Sequence, residues 1–137
     1  ETSRYVTLFY AELDPARRRL VYVNAGHVPP FVVRAGGREE RLRCGGPVLG
    51  LLDEVTLEPG ELALEPGDLL VAVTDGVTEA VDPAGLEFGD ERVRQTLAAH
   101  RGDGAAATLG ALTAAVDRWT GPAGCSDDLT ALILKAT

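Results

Sequence analysis

Residues 69–80 read LLVAVTDGVTEA, and this stretch carries the clearest indication of the fold in the sequence. Residues 69–73 are all apolar, which is typical of a strand that is buried on both faces. Asp75 comes just after that run, and Gly76 allows the backbone to turn sharply. The stretch therefore predicts a buried strand inside a layered domain, with the carboxylate of Asp75 placed where the chain leaves the core.

Around this stretch, the first half of the chain has the pattern of short strands separated by turns. The predicted strands cover residues 5–13, 20–24, 31–35, 39–43 and 61–64. The second half changes to helical periodicity, with helices predicted over 91–99, capped by Asp90, and over 105–119. A last strand is predicted over 129–135. This order indicates an α+β domain, spanning 1–137, in which antiparallel sheet is covered by helices.

The composition narrows the class of protein. The chain has 137 residues, 45% of them hydrophobic, which is enough to bury a core without disulfides. Its formal charge of -8, from 21 acidic and 13 basic residues, would repel the phosphates of nucleic acids. No apolar stretch approaches the length of a membrane span and no signal-peptide pattern opens the chain, so we expect neither. Cys44 and Cys125 lie far apart without metal-ligand spacing, so we expect reduced thiols in a cytoplasmic protein.

A second carboxylate site mirrors that of Asp75. Asp127 and Asp128 stand at the entry of the last predicted strand, after a loop that contains glycines. Carboxylates at the ends of neighbouring buried strands can converge on a hard divalent cation, which prefers oxygen ligands. Aspartate is also a common turn residue next to strands, and spacing alone leaves both interpretations open.

Several short segments occur together in one order. They are TLFY at 7–10, NAGHVPP at 24–30, PVLGL at 47–51, LEPGD at 64–68, TDGVTEA at 74–80, FG at 88–89 and DDLT at 127–130. This set resembles the SpoIIE/RsbU branch of the metal-dependent PP2C-like serine/threonine phosphatases. The resemblance covers essentially the whole chain, and it implies an antiparallel β-sandwich flanked by helices.

The resemblance also implies a set of metal ligands. The aspartate of the family's Thr-Asp-Gly segment binds metal and falls on Asp75, with Gly76 beside it as a metal-proximal or substrate-proximal residue. The first aspartate of the family's closing segment is a further ligand and falls on Asp127. Asp128 is then the neighbour that holds the loop by hydrogen bonds, although the doublet leaves a one-residue ambiguity. The implied cofactors are two Mn²⁺ or Mg²⁺ ions.

Asn24 and His27 are the remaining candidates near the metals or the substrate. In the wider PP2C group the corresponding turn carries an aspartate close to the metal centre, so His27 is a candidate for contact with substrate or an auxiliary metal. An imidazole that only bonds the backbone of a Gly-Pro-rich turn is the competing interpretation. For Asn24 a turn-forming role is favoured. Thr78 and Glu79 are expected to set the geometry of the loop around Asp75.

Two motifs expected from the resemblance are missing. Family members carry a Gly-Asp motif and an Asp-x-x-Gly-(His/Lys)-Gly motif before the segment where this chain begins, and their aspartates supply the remaining ligands and bridge the metals. Neither occurs here, and the chain opens without Met. We therefore expect the C-terminal part of a single PP2C-like domain, incomplete at its N-terminus. It would hold about half of a metal site and have no activity alone.

For the parent protein, the resemblance implies metal-dependent hydrolysis of phosphoserine or phosphothreonine on a regulatory protein. The implied substrate is a phosphorylated STAS-type anti-anti-sigma factor in bacterial partner-switching signalling, with control by an upstream sensor domain. Neither Cys44 nor Cys125 lies in a phosphate-cradling loop, so a cysteine-phosphatase mechanism has little support.

Two other classes of protein remain alternatives: a non-catalytic PP2C-like signalling module, and an unrelated α+β binding domain whose aspartates only form turns.

The first predicted strand begins only a few residues into the chain, so part of its sheet would lack a packing partner. We expect an exposed apolar surface or edge, which self-association or a preceding segment would cover.

Overall fold

The computed structural model describes residues 4–137 of the chain. Its elements, in order, are β1 (Leu8–Asp14), β2 (Arg19–Ala25), β3 (Phe31–Val33), β4 (Glu39–Arg41), β5 (Gly45–Gly46), β6 (Gly60–Ala63), β7 (Leu69–Val73), α1 (Asp75–Thr78), α2 (Gly89–Ala99), α3 (Ala105–Thr120) and β8 (Ala131–Lys135). A short 3₁₀ turn, Gly121–Ala123, follows α3.

The strands form two sheets. In the first sheet, β2 lies between β1 and β6 in antiparallel pairing, and its end pairs with β5 in parallel. In the second sheet the order is β4-β3-β7-β8, and every pair is antiparallel. The helices α2 and α3 pack on this second sheet, against β3 and β8. The α+β fold with antiparallel sheets and flanking helices, which the sequence indicated, is confirmed.

The position of β7 explains why residues 69–73 are apolar throughout. Leu70 packs in the cluster between the two sheets, together with Tyr22 and Leu62. Leu69, Val71 and Val73 belong to the cluster under the helices, which includes the α2 and α3 side chains of Val93, Leu97, Leu112 and Val116. Both faces of β7 therefore contribute to the core, and the buried central strand predicted from the sequence is confirmed.

The start of α2 differs from the expectation. The helix begins at Gly89, and the buried Phe88 occupies the capping position. Phe88 packs edge-on against Trp119, with ring centroids 6.2 Å apart, so side-chain packing fixes the entry into the helix. Asp90 lies in the first turn, where its carboxylate accepts a 2.9 Å hydrogen bond from Arg41. The prediction that Asp90 caps the helix is therefore wrong.

Several strand boundaries also differ from the sequence-based ones, including the ends of β3 at Val33 and of β4 at Arg41, which were predicted at residues 35 and 43. β1 begins at Leu8 rather than at residue 5, and Val6 makes only an isolated antiparallel bridge to Leu49. β8 begins at Ala131 rather than at residue 129, because the preceding Thr130 bonds to Thr74 outside the regular ladder.

β1 lies at an edge of the first sheet, and it carries large apolar side chains on its outer face. Leu8 and Tyr10 are 40% and 53% exposed, whereas Phe9 and Ala11 pack against the cluster between the sheets. Among the strands of residues 4–137, β1 pairs with β2 only. An edge strand with exposed apolar side chains offers a surface for pairing or packing by another segment. The apolar edge expected from the sequence is therefore present.

A buried ion pair fixes the turn that leads into β7, and it gives a first prediction. Asp68 is 1% exposed and accepts hydrogen bonds from the backbone N–H groups of Ala35 (3.0 Å) and Glu65 (2.9 Å) and from Arg34 (2.7 Å). We expect Asp68→Asn to lower the free energy of unfolding by about 1 to 3 kcal/mol, because it weakens the charge-assisted hydrogen bond from Arg34, which keeps its ion pair with Glu40 at 2.8 Å. Urea unfolding measures this, and Asp14→Asn, which breaks an exposed pair with Arg17, is the control.

The same carboxylate makes stability depend on pH. Burial alone would raise the pKa of Asp68, but its hydrogen bonds from Ala35, Glu65 and Arg34 hold that pKa below its ordinary value of 3.8. The stabilisation is therefore present above the ordinary pKa and is lost as the pH falls through the lower, folded-state pKa. In the Asn variant this acid-dependent loss should be smaller, and an unchanged pH profile would contradict the assignment.

Candidate metal centre

The sheet topology brings three polar segments to one end of the second sheet. β7 pairs antiparallel with both β3 and β8, with Val71 opposite Phe31 and Val73 opposite Ala131. The residues that follow β7 therefore adjoin the residues that precede β3 and those that precede β8. These segments are 74–76, 24–30 and 126–130, and they contain the site residues predicted from the sequence.

Asp75 begins α1, the single helical turn after β7, and its side chain is exposed. Its backbone carbonyl accepts hydrogen bonds from the N–H of Glu79 (2.8 Å) and from the hydroxyl of Thr78 (3.3 Å). These two residues therefore close the turn that presents the Asp75 carboxylate. The side chain lies at the surface, where cations and substrate can reach it.

Gly76 allows this turn to lie directly against the loop before β8. A Cβ atom added to Gly76 would stand 2.2 Å from the carbonyl oxygen of Asp128, closer than side-chain carbons approach backbone atoms. Gly76 is itself buried. The absence of a side chain at this position is therefore what brings the Asp75 segment and the Asp127–Asp128 segment into contact.

We expect Gly76→Ala to force these two segments apart and to lower the free energy of unfolding by about 1 to 3 kcal/mol, as overpacking commonly does. Thermal or urea unfolding of the purified protein measures the effect. Gly110→Ala is the matched control, because an added Cβ there meets no atom within 4 Å, and the change should be neutral or stabilising within α3. Equal stability of the two variants would contradict the close approach.

The loop before β8 carries the aspartate doublet, and both side chains are exposed. Oδ1 of Asp127 accepts the backbone N–H of Asp128 at 2.8 Å. The loop hydrogen bond expected from Asp128 is thus made by Asp127, whose short side chain reaches the N–H that follows it. Asp128 contributes its backbone instead, through the carbonyl that lies against Gly76.

A cavity of about 120 Å³ lies between α1 and this loop. Its lining is shared by the two segments and consists of Gly76, Glu79, Ala80, Ser126 and Asp127. Carboxylate oxygens suit a hard cation such as Mn²⁺ or Mg²⁺, so the donors at this place fit the implied metals in kind. They do not form a full ligand set: no group of three or more His, Cys, Asp or Glu side chains within residues 4–137 is arranged to hold a metal ion.

Asn24 has the turn-forming role that the sequence favoured. It is 5% exposed, and its Oδ1 accepts the backbone N–H of His27 at 2.8 Å. Its Nδ2 donates to the carbonyls of His27 (3.0 Å) and Leu42 (3.2 Å). The amide therefore satisfies the turn between β2 and β3 and ties it to the segment after β4.

His27 lies in the same turn, partly buried, at the end of the sheet that carries Asp75. Its Nδ1 donates to the carbonyl oxygen of Val28 at 2.8 Å, which is the backbone bond of the competing interpretation. That bond commits Nδ1 and leaves Nε2 as the nitrogen for any contact with substrate. A direct role of His27 toward substrate or metal stays a prediction.

Two residues of this site were missed by the reading of the sequence. Thr74 hydrogen-bonds to Thr130 across the ends of β7 and β8, and Ser126 lines the cavity. For Thr74 the residue type gave no signal, because its hydroxyl does not cap α1 but accepts the N–H of Thr130 across the strand ends. For Ser126 there was none, since a serine in a glycine-containing loop is ordinary.

The family model described as Stage II sporulation protein E (SpoIIE) matches residues 1–137, the whole chain. The chain belongs to the SpoIIE family. It is therefore part of a PP2C domain of the SpoIIE/RsbU type, as its sequence motifs indicated.

Two curated relatives are similar to this SpoIIE-family chain. Protein IcfG of Synechocystis sp. is 36% identical over 100 residues, which is 73% of this chain and 16% of that protein. Phosphoserine phosphatase RsbP of Bacillus subtilis is 33% identical over 79 residues, which is 58% of this chain and 20% of that protein. The chain thus matches a fifth or less of the length of these relatives.

Solved structures show the same fold. The SiaA-PP2C domain of Pseudomonas aeruginosa superposes with a TM-score of 0.84 at 22% identity, covering 97% of this chain and 52% of that one. The phosphatase domain of SpoIIE from Bacillus subtilis, presoaked with Mn, superposes with a TM-score of 0.73 at 21% identity, covering 95% and 56%. This SpoIIE-family chain therefore corresponds to about half of each solved domain.

Proposed function

We propose that the protein that carries this chain hydrolyses phosphoserine or phosphothreonine on a regulatory protein, with two Mn²⁺ or Mg²⁺ ions as cofactors. The observation that carries the proposal is the placement of Asp75 and Asp127 on two adjoining segments at one end of the second sheet. The cavity between these segments is lined by Asp127 and by Glu79 of the Asp75 segment. Membership of the SpoIIE family and the phosphoserine phosphatase activity in the name of RsbP support it.

Three residues of this chain have distinct roles in the proposed metal site. Asp75 and Asp127 are the ligands that the chain contributes to the cations, and Gly76 lets their segments meet. When bound, the cations polarise phosphoryl oxygens and lower the pKa of a bound water, which makes it a nucleophile at neutral pH. The exposed carboxylates of Glu79 and Asp128 add negative charge around the cavity, which favours cations over anions there. The remaining ligands come from outside the described residues.

We propose a phosphorylated STAS-type protein as the substrate, an upstream sensor domain as the regulator, and the cytoplasm as the location. The support is the family membership and the mention of a regulatory domain in one solved SpoIIE structure. In the described part of the chain, no helix has the length and apolar character needed to cross a membrane.

One observation favours a second candidate, a non-catalytic PP2C-like signalling module. Residues 4–137 offer two candidate ligands but no cluster of three metal-binding side chains. In this alternative the fold binds a partner protein and the carboxylates serve as turn residues. The two candidates differ in whether the full protein releases phosphate in a metal-dependent way.

The decisive experiment measures phosphate release by the full protein, with its complete phosphatase domain, from a phosphoserine peptide and from p-nitrophenyl phosphate. We expect turnover that rises with added Mn²⁺ and stops with EDTA, because the nucleophile depends on the bound cations. A matched peptide without phosphate is the blank. Absence of metal-dependent turnover on both substrates, with the protein folded, would favour the non-catalytic module.

A further inference from the structure

The hydrogen bonds at the ends of β7 and β8 have an unusual arrangement. The regular ladder ends with Val73 opposite Ala131, and the next pair in this register is Thr74 and Thr130. In an antiparallel ladder, two residues of such a hydrogen-bonded pair exchange both backbone N–H···O bonds. One of the two is present here: the N–H of Thr74 donates to the carbonyl of Thr130 at 3.0 Å.

The other backbone bond of this pair is replaced. The carbonyl of Thr74 accepts the N–H of Val77 at 3.0 Å, and so begins α1. It is therefore turned away from β8. The N–H of Thr130 donates instead to the hydroxyl Oγ1 of Thr74 at 3.2 Å. The side chain takes the place in the ladder that the carbonyl has left.

The hydrogen bond from the Thr130 N–H to the Thr74 hydroxyl joins the two segments that carry the candidate ligands. Because the carbonyl of Thr74 starts α1, Asp75 is presented at the first position of that helical turn. Because the hydroxyl holds Thr130, the loop with Asp127 remains attached to the end of β7. Without a hydroxyl at position 74, the N–H of Thr130 would lose this acceptor. It could regain one only if the carbonyl of residue 74 turned back toward β8 and left the helical turn.

We infer that Thr74 is a positioning residue for the metal site, and that its hydroxyl fixes the Asp75 segment relative to the Asp127 segment. The inference rests on the proposed function, because it assigns the hydroxyl a role toward the ligands that this function requires. Groups that orient metal ligands commonly change metal affinity or activity by about 10- to 100-fold when they are removed.

The test compares three variants of the full protein. Thr74→Val keeps the branched shape but removes the hydroxyl, and we expect the Kd for Mn²⁺ to rise about 10- to 100-fold, with a parallel loss of turnover. Thr74→Ser keeps the hydroxyl and should restore Mn²⁺ affinity. Thr96→Val is the matched control, because that hydroxyl donates only within α2, to the carbonyl of Arg92 at 2.8 Å, and its loss should leave affinity unchanged.

Hydrogen exchange of the Thr130 amide gives a readout that does not depend on activity. It should be slow in the wild-type protein and in the Ser variant, and faster in the Val variant. A Ser variant as impaired in Mn²⁺ binding as the Val variant, or a Val variant with wild-type affinity, overturns the inference. Fast hydrogen exchange of the Thr130 amide in the wild-type protein also overturns the inference. This measurement does not require the Val variant to fold.

The outcomes also separate this inference from the proposed function. If the wild-type protein shows no Mn²⁺-dependent turnover, the proposed function fails. If the wild type is active and binds Mn²⁺ but the Val variant matches it, only the role of Thr74 fails.

Discussion

Asp75→Asn in the full protein is expected to lower kcat/KM for p-nitrophenyl phosphate by at least about 10²-fold. Loss of a residue that binds the metal directly should reduce activity more than loss of a group that only orients such a ligand. The amide has nearly the same shape as the carboxylate but no charge, so the loss reports metal binding rather than packing. Asp75 is exposed at the start of α1, and the fold should tolerate the change. Steady-state kinetics across a Mn²⁺ titration give the measurement.

The doublet before β8 provides the matched pair for this experiment. Asp127→Asn should cause a loss of similar size, whereas Asp128→Asn should be far milder, because the contacts of Asp128 in the structure are made by its backbone N–H and carbonyl. Both variants remove one exposed negative charge, so a general electrostatic effect would affect them equally. If Asp128→Asn is severe and Asp127→Asn is mild, the metal ligand is Asp128 and not Asp127. Full activity of Asp75→Asn would show that Asp75 is not a ligand.

The fold was largely predictable because the apolar patterns that are clearest in the sequence belong to residues whose burial contributes most to stability. The apolar run at 69–73 is buried on both faces, and the spacing of Leu112 and Val116 on α3 places both in the core under the helices. The start of α2 was predicted wrongly because a local capping preference at Asp90 competes with the burial of Phe88. Burial of a large aromatic side chain is the larger effect, and it depends on the distant Trp119.

The candidate site was predictable only in part. Asp75 follows β7 directly and Asp127 lies in the loop before β8, and both strands were predicted from their apolar residues, although the start of β8 was placed two residues too early. The contact between Gly76 and the carbonyl of Asp128 depends on the register between β7 and β8, which the sequence does not reveal. The same register decides that a side-chain hydroxyl of Thr74 replaces a backbone carbonyl. The family resemblance therefore indicated the candidate ligands, but the sequence did not indicate the contacts that hold their segments together.

The 137-residue chain by itself is expected to hydrolyse p-nitrophenyl phosphate no faster than buffer that contains Mn²⁺. Two carboxylates leave most of a cation's coordination sphere to water, and they repel each other when no full pair of cations is bound. The chain covers 52% of the SiaA domain and 56% of the SpoIIE domain that it resembles, so further ligands have room outside it. Calorimetric titration with Mn²⁺ should accordingly show weak binding by the chain and tight binding by the full protein.

Adding the rest of the domain as a separate chain is the sharpest form of this experiment. If the two parts associate through the exposed apolar edge at Leu8 and Tyr10, Mn²⁺-dependent turnover should appear on mixing. Tyr10→Lys should weaken that recovery, because a charge on an edge strand opposes packing, while the same change in the covalently intact protein should be better tolerated. Metal-dependent turnover by the 137-residue chain alone would show instead that Asp75 and Asp127 need no further ligands, and the division of the site between two parts of the domain would be wrong.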